Sequence, residues 1–595
     1  MLEQYEDETR AERVLKQLYG KPSAKRIYGF DLETYGNKNR FLMGSIYGED
    51  IVRSFWNKDD MIDFIMKNRR LENTYIVATN LGFDFLNLFE KTEHLKDAEI
   101  LIKSSNLIYA KFDKNHYNRL NFIDTMNFIP ISVKRMGDLL ELPKLKTPDW
   151  IGNKPKTYDE RLYLERYNLR DSEITYRFTS LLQKGFNNLG AKMKITLAST
   201  SMDLFRRKYM KEDYFQPQKE YLEYLFKGYY GGRVEAVKRG LAKNLKYYDV
   251  NSLYPFVMQN EYPNPNHLKY SRNIKLKTIM QYEGVAKVKV IAPKMYIPYL
   301  PYRFGKYNYN KKLIFPTGEF IGHYTFFELR KALELGYKII KLYDGIIYFK
   351  KFEPFKEYVN ELYKNRLMHK SENNPLETVD KICMNSLYGK FAQKITEKES
   401  IIHESKMSFD MLKKYHYVNR TGNYFIVKEK DFRIPKFVNP IFSLYTTAYA
   451  RDVLYNLISK VKQDKIYYYD TDSLMTSQYF ETSKKLGALK LEDNIPEAIF
   501  VKPKMYYYTN GKDDRIKIKG ARTGVKTKEQ FYKLFDNQKV TLEKFTKFKE
   551  SNKRNFEYNQ RLVFEKLIGL EDNKRKWKGK FKPYELHDSK PLCML

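Results

Sequence analysis

The segment KIYYYDTDSLMTS, residues 465–477, restricts the possible folds of this chain more than any other segment. Its β-branched and aromatic residues predict two strands, and Asp470-Thr471-Asp472-Ser473 lies where a tight turn must join them. Asp470 and Asp472 repel each other unless a cation lies between or beside them. The segment therefore predicts either a metal-binding tip between two strands or an acidic turn in solvent, and by itself it leaves both open.

A third carboxylate is expected near this tip from the segment LKYYDVNSLYP. Asp249 ends the predicted strand, and the residues that follow it turn the chain. A single Asp at a strand end is usually a cap or a turn residue. Phosphoryl transfer by two metal ions, however, requires carboxylates from separate strands that converge on ions ~3.5–4 Å apart. Asp249 is therefore a candidate ligand beside Asp470 and Asp472.

A predicted helix, ETVDKICMNSLYGKFA, supplies cationic and aromatic side chains. Lys381, Asn385 and Tyr388 lie at positions i, i+4 and i+7 and share one face. Lys381 could hold nucleotide phosphates and Tyr388 could stack beneath a base pair, although a lysine on an amphipathic helix more often extends its ammonium into water. Arg366, on the preceding predicted helix, could bind the same triphosphate from the other side.

A second group of carboxylates lies in the first third of the sequence. Asp31 and Glu33 are two apart on a predicted strand and point to one face, and Tyr167 and Asp171 are neighbours on a predicted helix. With Asp84, these residues could bind two metal ions, activate water and hydrolyse a phosphodiester. Each segment taken alone could equally be an ordinary surface segment.

The composition favours a polyanionic partner. Lys+Arg 108 against Asp+Glu 73 gives a net charge of +35, which favours nucleic acid first and an anionic membrane surface second, although a lysine-rich composition alone could produce it. A basic stretch from Lys574 to Lys582 is either a solvated face or a phosphate-binding surface. Two cysteines, a charged start and no apolar run of ~20 residues predict a cytoplasmic protein without a membrane span.

Taken together, the segments around Asp249, Lys381 and Asp470 resemble motifs A, B and C of the family B DNA polymerases, in the same order. The resemblance implies that Asp249 and Asp472 are the principal ligands of two Mg²⁺ ions, for which Mn²⁺ can substitute. It also implies that the Val250 carbonyl assists them and that Asp470 supports the site. The implied nucleotide-binding residues are Tyr254, which excludes ribonucleotides by filling the space of the 2′-hydroxyl, Lys381, Arg366, Tyr388 and Asn385.

The first group of carboxylates resembles the three exonuclease motifs of the same family. The resemblance implies that Asp31, Glu33, Asp84 and Asp171 bind two metal ions and that Tyr167 orients the attacking water. Three further segments resemble DNA-contacting motifs of the family: Tyr-x-Gly-Gly, Lys-x-Tyr and a single-strand ligand motif. The implied DNA-contacting residues are Tyr229, Gly231, Gly232, Lys504, Tyr506, Asn80, Thr125 and Lys146, with Lys144 as the alternative to Lys146.

The resemblance covers nearly the whole chain and implies an α/β and α+β multidomain fold. An RNase H-like 3′–5′ exonuclease domain is followed by a right-hand palm, fingers and thumb with two insertions. The expected domains are 1–190 for the exonuclease, 191–262 and 439–530 for the palm, 263–350 for the first insertion, 351–392 for the fingers, 393–438 for the second insertion and 531–595 for the thumb.

The two insertions are similar in position to those of the protein-primed polymerases of phages and linear plasmids. This resemblance implies a monomeric replicative polymerase that binds primer-template DNA and dNTPs, starts synthesis on a terminal protein and displaces the strand ahead. If the chain is encoded by a phage, it would act in the cytoplasm of a bacterial host. The alternatives are a family B polymerase primed by an oligonucleotide and a nuclease with a degenerate polymerase part.

Overall fold

The computed structural model describes every residue except 1–9, 90–91, 104–105, 114–118, 306–310, 394–398, 422, 430–433, 522–523, 547–560 and 595. The fold consists of three large sheets, each with its own apolar core, and a central group of helices that packs between them. None of the helices in the described part of the chain combines the length and apolarity that a membrane span requires.

The first sheet has ten strands and contains the predicted Asp31 and Glu33 strand. Its centre is parallel, because Ile27–Tyr35 pairs with Tyr75–Ala78, which pairs with Arg119–Asp124. Parallel strands need covered faces, and helices cover them here. In spatial order the strands are Tyr415–Thr421, Tyr424–Glu429, Glu399–His403, Ala98–Lys103, Asn106–Asp113, Arg119–Asp124, Tyr75–Ala78, Ile27–Tyr35, Arg40–Tyr47 and Val52–Phe55.

Three strands of this sheet come from the predicted second insertion. Glu399–His403 pairs antiparallel with Ala98–Lys103, with Ser400 opposite Leu101. In sequence, the predicted insertion at 393–438 lies between the expected fingers and the second part of the palm. Edge strands have unpaired backbone groups that readily accept another strand, and this hairpin occupies such an edge.

The long helix Tyr158–Leu189 covers one face of the first sheet. A capping box between Thr157 and Glu160 satisfies the backbone donors at its start, and it ends at Gly190, whose φ of 98° suits glycine. The helix confirms the helical segment predicted around Tyr167.

Gly29 sets how closely this helix approaches the sheet. A Cβ at Gly29 would lie 2.1 Å from the carbonyl oxygen of Ser172, so only glycine permits the observed packing. The helix therefore lies directly on the strand Ile27–Tyr35. As a result, Asp171 faces Asp31 across this contact.

The second sheet has nine strands and contains the Asp470-Thr471-Asp472 turn. The hairpin predicted around this turn is confirmed, and the strand that contains Asp249 lies beside it. In spatial order the strands are Val234–Ala236, Ile466–Asp470, Ser473–Thr476, Lys238–Val250, Leu489–Lys502, Met505–Thr509 and Asp514–Ile518, while His587–Pro591 joins Arg575–Trp577 to the start of Lys238–Val250.

The third sheet lies within the predicted first insertion. Its core strand, Glu283–Ala292, alternates buried valines and alanines with half-exposed lysines, as a sheet with one face on a core requires. The last strand comes from the far end of the sequence and runs parallel to its neighbour. In spatial order the strands are Leu268–Ser271, Lys338–Tyr348, Glu283–Ala292, Thr317–Thr325 and Cys593–Met594.

Two neighbouring helices, Lys356–Ser371 and Leu376–Phe391, match the two helices predicted for the fingers. The second buries Cys383 and Leu387 and exposes Lys381, as its spacing indicated. The other helices are Lys58–Lys67, Leu81–Phe89, Glu93–Asp97, Val133–Leu139, Leu197–Leu204, Lys219–Gly228, Leu253–Met258, Leu276–Gln281, Phe326–Glu334, Phe409–Lys414, Pro440–Ile458 and Lys528–Asn537.

Short hairpins and ribbons complete the fold. Lys539–Phe545 pairs with Arg561–Leu567 in the predicted thumb. The remaining two-stranded pairs are Arg10–Leu15 with Tyr214–Pro217, Tyr262–Pro263 with Lys351–Phe352, and Tyr302–Phe304 with Lys312–Ile314.

The basic stretch from Lys574 to Lys582 divides into two parts, which corrects its prediction as one surface. Arg575 is buried, and the Lys574 ammonium donates to the Val234 carbonyl oxygen at 2.9 Å. These two side chains therefore lie against the second sheet and are not free to bind phosphates. Lys576, Lys578, Lys580 and Lys582 are exposed.

Candidate active sites

The Asp470-Thr471-Asp472 turn lies at one end of the second sheet. Thr471 has a left-handed φ of 62°, and the Asp472 N–H donates to the Asp470 carbonyl oxygen at 2.7 Å. The Val250 N–H, directly after Asp249, donates to the Asp472 carbonyl oxygen at 2.8 Å. The backbone therefore holds Asp249 and Asp472 on neighbouring strands at the same end of the sheet.

Asp249 and Asp472 oppose each other's ionisation. Burial, followed by the charge of Asp472, raises the pKa of Asp249 to about 7, although Lys490 and Lys381 act in the other direction. Burial, with the charge of Asp470 added to it, also raises the pKa of Asp472. A divalent cation removes such repulsion, so this pair has the chemistry of a metal site.

Asp470 has a different environment. The ammonium of Lys504 donates to both of its carboxylate oxygens, at 2.8 Å and 3.0 Å. Asp249 and Asp472, by contrast, have no ion pair in the described part of the chain. The negative charge of Asp470 is thus neutralised by Lys504, whereas neutralisation of Asp249 and Asp472 would need a bound cation.

Two predicted nucleotide-binding residues meet beside Asp249. Ser252 adopts a left-handed φ of 50°, and Tyr254 then lies in the first turn of the helix Leu253–Met258. The Tyr254 ring stacks on the Tyr388 ring. The Arg366 guanidinium donates to the Ser252 hydroxyl at 3.3 Å and to the Glu377 carboxylate at 3.2 Å. The helix of Arg366 is thereby connected to the segment that follows Asp249.

Lys381 and Asn385 are both exposed on the next helix. The Asn385 side-chain amide donates to the backbone carbonyl oxygen of Lys381 at 2.7 Å. This bond does not involve the Lys381 ammonium. The charge of Lys381 acts to lower the pKa of Asp249, against the effect of burial. An exposed ammonium near two carboxylates is suited to hold the phosphates of a metal-bound nucleotide.

The two glycines of the Tyr-x-Gly-Gly segment differ in their surroundings. A Cβ at Gly232 would lie 2.8 Å from the Thr471 side chain, whereas a Cβ at Gly231 would meet nothing within 4 Å. Gly232 therefore allows this segment to touch the Asp470-Thr471-Asp472 turn. Tyr229 is half-buried at the end of the helix Lys219–Gly228.

Tyr506 does not present the surface expected of a DNA-contacting residue. Its side chain is 8% exposed, and its ring packs edge-on against Tyr468 with centroids 5.0 Å apart. The Lys504 side chain is 39% exposed, but its ammonium is engaged by Asp470. The Lys-x-Tyr segment thus contacts the carboxylate turn through Lys504, and the DNA contact expected of Tyr506 stays a prediction.

The second carboxylate group lies between the first sheet and its long helix. Ligand atoms of Asp31, Glu33 and Asp171 lie within 4.8 Å of one another, and in the described part of the chain they form the one such group of three. Asp84 accepts the N–H of Leu32 at 3.2 Å, so its carboxylate lies against the strand between Asp31 and Glu33. The packing of the long helix on this strand thus brings Asp171 to Asp31 and Glu33, and Asp84 reaches the same strand from the helix Leu81–Phe89.

These carboxylates are strongly coupled. Burial, with the charges of Asp84 and Asp171, raises the pKa of Asp31 well above its usual range. Burial, followed by the charge of Asp171, raises the pKa of Glu33 to about 7. Burial also raises the pKa of Asp84 and of Asp171. One buried oxygen of Asp171, Oδ1, has no hydrogen-bond partner among the described residues. An unpartnered oxygen among like charges fits divalent cations with oxygen ligands.

Lys144, the alternative that the sequence left open, is the lysine that contacts this group. Its ammonium forms an ion pair with Asp171 and lies 4.4 Å from the ring centroid of Tyr167. The Lys146 carbonyl oxygen accepts from the Tyr163 hydroxyl at 2.8 Å, and among the described residues its side chain forms no ion pair with the carboxylates. The prediction of Lys146 is therefore replaced by Lys144. The Tyr167 hydroxyl shares a hydrogen bond of 3.2 Å with Thr147.

Asn168 was missed by the sequence argument. It is fully buried, and its amide donates to Asp31 Oδ2 at 2.7 Å. The signal was present, because Asn168 lies three residues before Asp171 and so shares its helix face.

Asn80 and Thr125 differ in accessibility. Asn80 is exposed, with a left-handed φ of 66° and its N–H bound to Asp124 at 3.1 Å. Thr125 is 1% exposed and shares a hydrogen bond of 3.0 Å with the Thr79 hydroxyl. Asn80 is thus available to a ligand at the edge of the carboxylate group. The Thr125 side chain is buried, and its contact with DNA stays a prediction.

The chain is similar in sequence to known DNA polymerases. Residues 141–437 match the family described as DNA polymerase type B, organellar and viral. A probable DNA polymerase of Podospora anserina is 26% identical, covering 74% of this chain and 42% of that protein. The DNA-directed DNA polymerase of Enterobacteria phage PRD1 is 22% identical, covering 83% and 85%. The chain spans about half the length of the Podospora anserina, Neurospora intermedia and Ascobolus immersus relatives.

The fold also has counterparts among solved structures. Phi29 DNA polymerase complexed with primer-template DNA and incoming nucleotide substrates superposes with a TM-score of 0.71, at 15% identity, covering 92% of this chain and 100% of that chain. Its complex with single-stranded DNA gives 0.65, at 17% identity, covering 88% and 96%. This likeness confirms the predicted fold, an exonuclease domain followed by palm, fingers and thumb. The chain belongs to the family B DNA polymerases, of the organellar and viral type.

Proposed function

We propose that this protein is a DNA-directed DNA polymerase with a 3′–5′ exonuclease that removes mismatched primer ends. The observation that carries the proposal is the presence of two separate carboxylate groups, Asp249 with Asp472 in the palm and Asp31, Glu33 and Asp171 in the first sheet. A nonenzymatic DNA-binding protein has no use for two buried groups of like charge, because each costs stability when no cation is bound.

In the polymerase site, Asp249 and Asp472 would hold the metal ions, with the Val250 carbonyl as a further ligand. Two Mg²⁺ ions, when bound, would favour ionisation of the primer hydroxyl and stabilise charge on the leaving pyrophosphate. Lys381 and Arg366 would bind the triphosphate, and Tyr388 would stack beneath the nascent pair. Tyr254 would bar the ribose 2′-hydroxyl.

In the exonuclease site, Asp31, Glu33, Asp84 and Asp171 would hold the metal ions. Tyr167 would orient the attacking water, and Lys144 keeps Tyr167 and Asp171 next to each other through its cation–π contact and ion pair. Asn80, exposed beside the group, would contact the frayed primer end.

We further propose that synthesis starts on a terminal protein and that the enzyme displaces the strand ahead of it. Support comes from the viral and organellar type of the family and from the two insertions. The hairpin of the second insertion is hydrogen-bonded into the first sheet, and in this proposal it would help to hold the template strand. The competing function is a polymerase that extends only annealed oligonucleotides.

A double variant tests the division into two sites. Asp31→Ala with Glu33→Ala should abolish degradation of a mismatched primer and leave extension of a matched primer intact, because the polymerase ligands lie in another sheet. Asp249→Ala should do the reverse, and it serves as the matched control. Loss of both activities in either variant would contradict two independent sites.

A second experiment separates the two modes of priming. The enzyme is incubated with labelled dATP, Mg²⁺ and a candidate terminal protein from the same genome, without any oligonucleotide. Covalent labelling of the protein supports protein priming. Extension of annealed oligonucleotides with no labelled protein favours the competing function.

A further inference from the structure

We propose that Arg575 is a positioning residue for the polymerase site, acting through Glu235 and Tyr469 on the turn that contains Asp472. The inference rests on the proposed polymerase function. It assigns a role to a side chain that the sequence placed in a basic, phosphate-facing stretch. Arg575 lies instead on the strand Arg575–Trp577, which is joined to the palm sheet, and its side chain is fully buried.

Arg575 is one of three buried charges behind the carboxylate turn. Glu235 Oε2 accepts a hydrogen bond from Arg233 Nε at 2.8 Å, and Arg233 Nη2 lies 2.7 Å from the same oxygen as an ion pair. The Arg575 Nη1 atom lies 3.6 Å from the other carboxylate oxygen of Glu235. Both arginines and the glutamate are at most 2% exposed. Removal of one partner from such a group leaves an uncompensated buried charge, which forces the remaining groups to move.

This group is connected to the turn at two points. Tyr469, directly before Asp470, donates its hydroxyl to Glu235 Oε2 at 2.5 Å. The Thr471 N–H, within the turn, donates to the Arg233 carbonyl oxygen at 2.7 Å. A shift of Glu235 would therefore move Tyr469, and a shift of Arg233 would move Thr471.

Arg575 is itself held firmly enough to fix Glu235. Its Nε donates to the Ser589 hydroxyl at 2.7 Å, and its Nη2 donates to the Tyr296 carbonyl oxygen at 3.1 Å. The Ser589 hydroxyl in turn donates to the Val237 carbonyl oxygen at 2.6 Å. The contacts with Ser589 and Tyr296 thus fix the guanidinium, and its Nη1 atom faces Glu235.

The turn needs this support because its carboxylates repel each other. Asp470 and Asp472 are two residues apart in the turn, and the Val250 N–H, next to Asp249, donates to the Asp472 carbonyl oxygen at 2.8 Å, so three carboxylates are held on neighbouring strands. A misplacement of ~1 Å at a catalytic group can cost about 100-fold in rate. The buried group of Arg233, Glu235 and Arg575 keeps the carboxylates of the turn in place before metal and nucleotide bind.

The test compares Arg575→Met with Arg575→Lys and with a matched control. Arg330→Met removes another arginine–glutamate pair, Arg330 with Glu283 at 2.6 Å, which lies in the first insertion. Each full-length variant is assayed for kcat and dNTP KM in primer extension, for degradation of a single-stranded oligonucleotide, and for thermal melting.

We expect Arg575→Met to lower the kcat of extension by about tenfold or more, with dNTP KM and the exonuclease rate within about twofold of the unmodified protein. Arg575→Lys should recover part of the loss, and Arg330→Met should retain the kcat. Unchanged kcat in folded Arg575→Met would overturn the inference. A parallel fall of both activities with the melting temperature would also overturn it, because that pattern indicates general stability.

Tyr469→Phe provides a milder variant in case Arg575→Met does not fold. It removes only the hydroxyl that reaches Glu235, and it should lower the kcat of extension several-fold while exonuclease and melting are retained. A Tyr469→Phe protein with full kcat would contradict the connection. If the unmodified chain itself does not extend a primed template, the proposed function fails, whereas the Arg575 inference fails alone only when the unmodified chain is active.

Discussion

The aromatic rings of Tyr254 and Tyr388 stack with centroids 4.6 Å apart and planes inclined by 14°. Tyr254 follows the strand that contains Asp249, and Tyr388 lies on the helix that contains Lys381. This contact therefore joins the candidate metal ligands to the candidate phosphate-binding helix. In the function we propose, this aromatic pair would border the sugar of the incoming nucleotide.

Tyr254→Val should raise ribonucleotide incorporation, because it removes the ring that fills the space of a 2′-hydroxyl. We expect the ratio of kcat/KM for dNTP over rNTP to fall by about tenfold or more. Tyr254→Phe retains the ring and should retain the ratio. Steady-state primer extension with each nucleotide measures it, and equal discrimination by Tyr254→Val and the unmodified enzyme would refute the assignment.

Two neighbouring lysines permit a paired test of the exonuclease site. Lys144→Met should lower the exonuclease rate about 10- to 100-fold, because it removes the cation that joins Asp171 and Tyr167. Lys146→Met should have a much smaller effect, since only its backbone oxygen is engaged. Degradation of a labelled single strand measures both. A larger loss in Lys146→Met would show that the sequence assignment, not the observed contact, is correct.

Metal binding should stabilise the protein more at high pH than at low pH. In the folded protein without metal, burial and neighbouring carboxylates raise the pKa of Glu33 from 4.5 to about 7 and that of Asp249 from 3.8 to about 7. The folded state therefore retains protons that the unfolded state has lost, so the free energy of unfolding falls as pH rises through this window. Bound Mg²⁺ reverses the penalty by favouring the ionised carboxylates.

Thermal melting with Mg²⁺ or with a chelator, at about pH 5 and about pH 8, measures this effect. Asp31→Asn with Glu33→Gln should flatten the pH dependence of the chelated protein, because two of the raised groups are absent. A metal-induced shift that is equal at both pH values would contradict the coupling between metal and proton binding.

Gly232→Ala should slow primer extension, because the added Cβ would lie 2.8 Å from the Thr471 side chain and push on the carboxylate turn. A loss of about tenfold is expected from a displacement well under 1 Å. Gly231→Ala is the matched control, since its Cβ meets nothing within 4 Å. The kcat of primer extension is measured for both variants. A loss in Gly232→Ala alone supports the contact with Thr471, whereas equal losses would indicate that both glycines have a role in binding DNA.

Local sequence signals predicted the parts of each site that depend on neighbouring residues. The hairpin around Asp470 and Asp472, the strand that ends near Asp249 and the shared helix face of Lys381, Asn385 and Tyr388 follow from turn chemistry and periodicity. Such features are decided within one segment. The resemblance of these segments, in their order, to the exonuclease motifs of family B polymerases then suggested that Asp31, Asp84 and Asp171 act together.

Only the tertiary structure decided which side chains reach these sites. Lys144 rather than Lys146 meets Asp171, Thr125 and Tyr506 are buried, and Arg575 lies beneath the turn instead of on a basic surface. These outcomes depend on packing between segments far apart in sequence, such as the close approach of the long helix at Gly29. The Asp470-Thr471-Asp472 turn was thus visible in the sequence. Its base, made of Arg233, Glu235 and Arg575, was not, because no local pattern relates charges that meet only when the sheet forms.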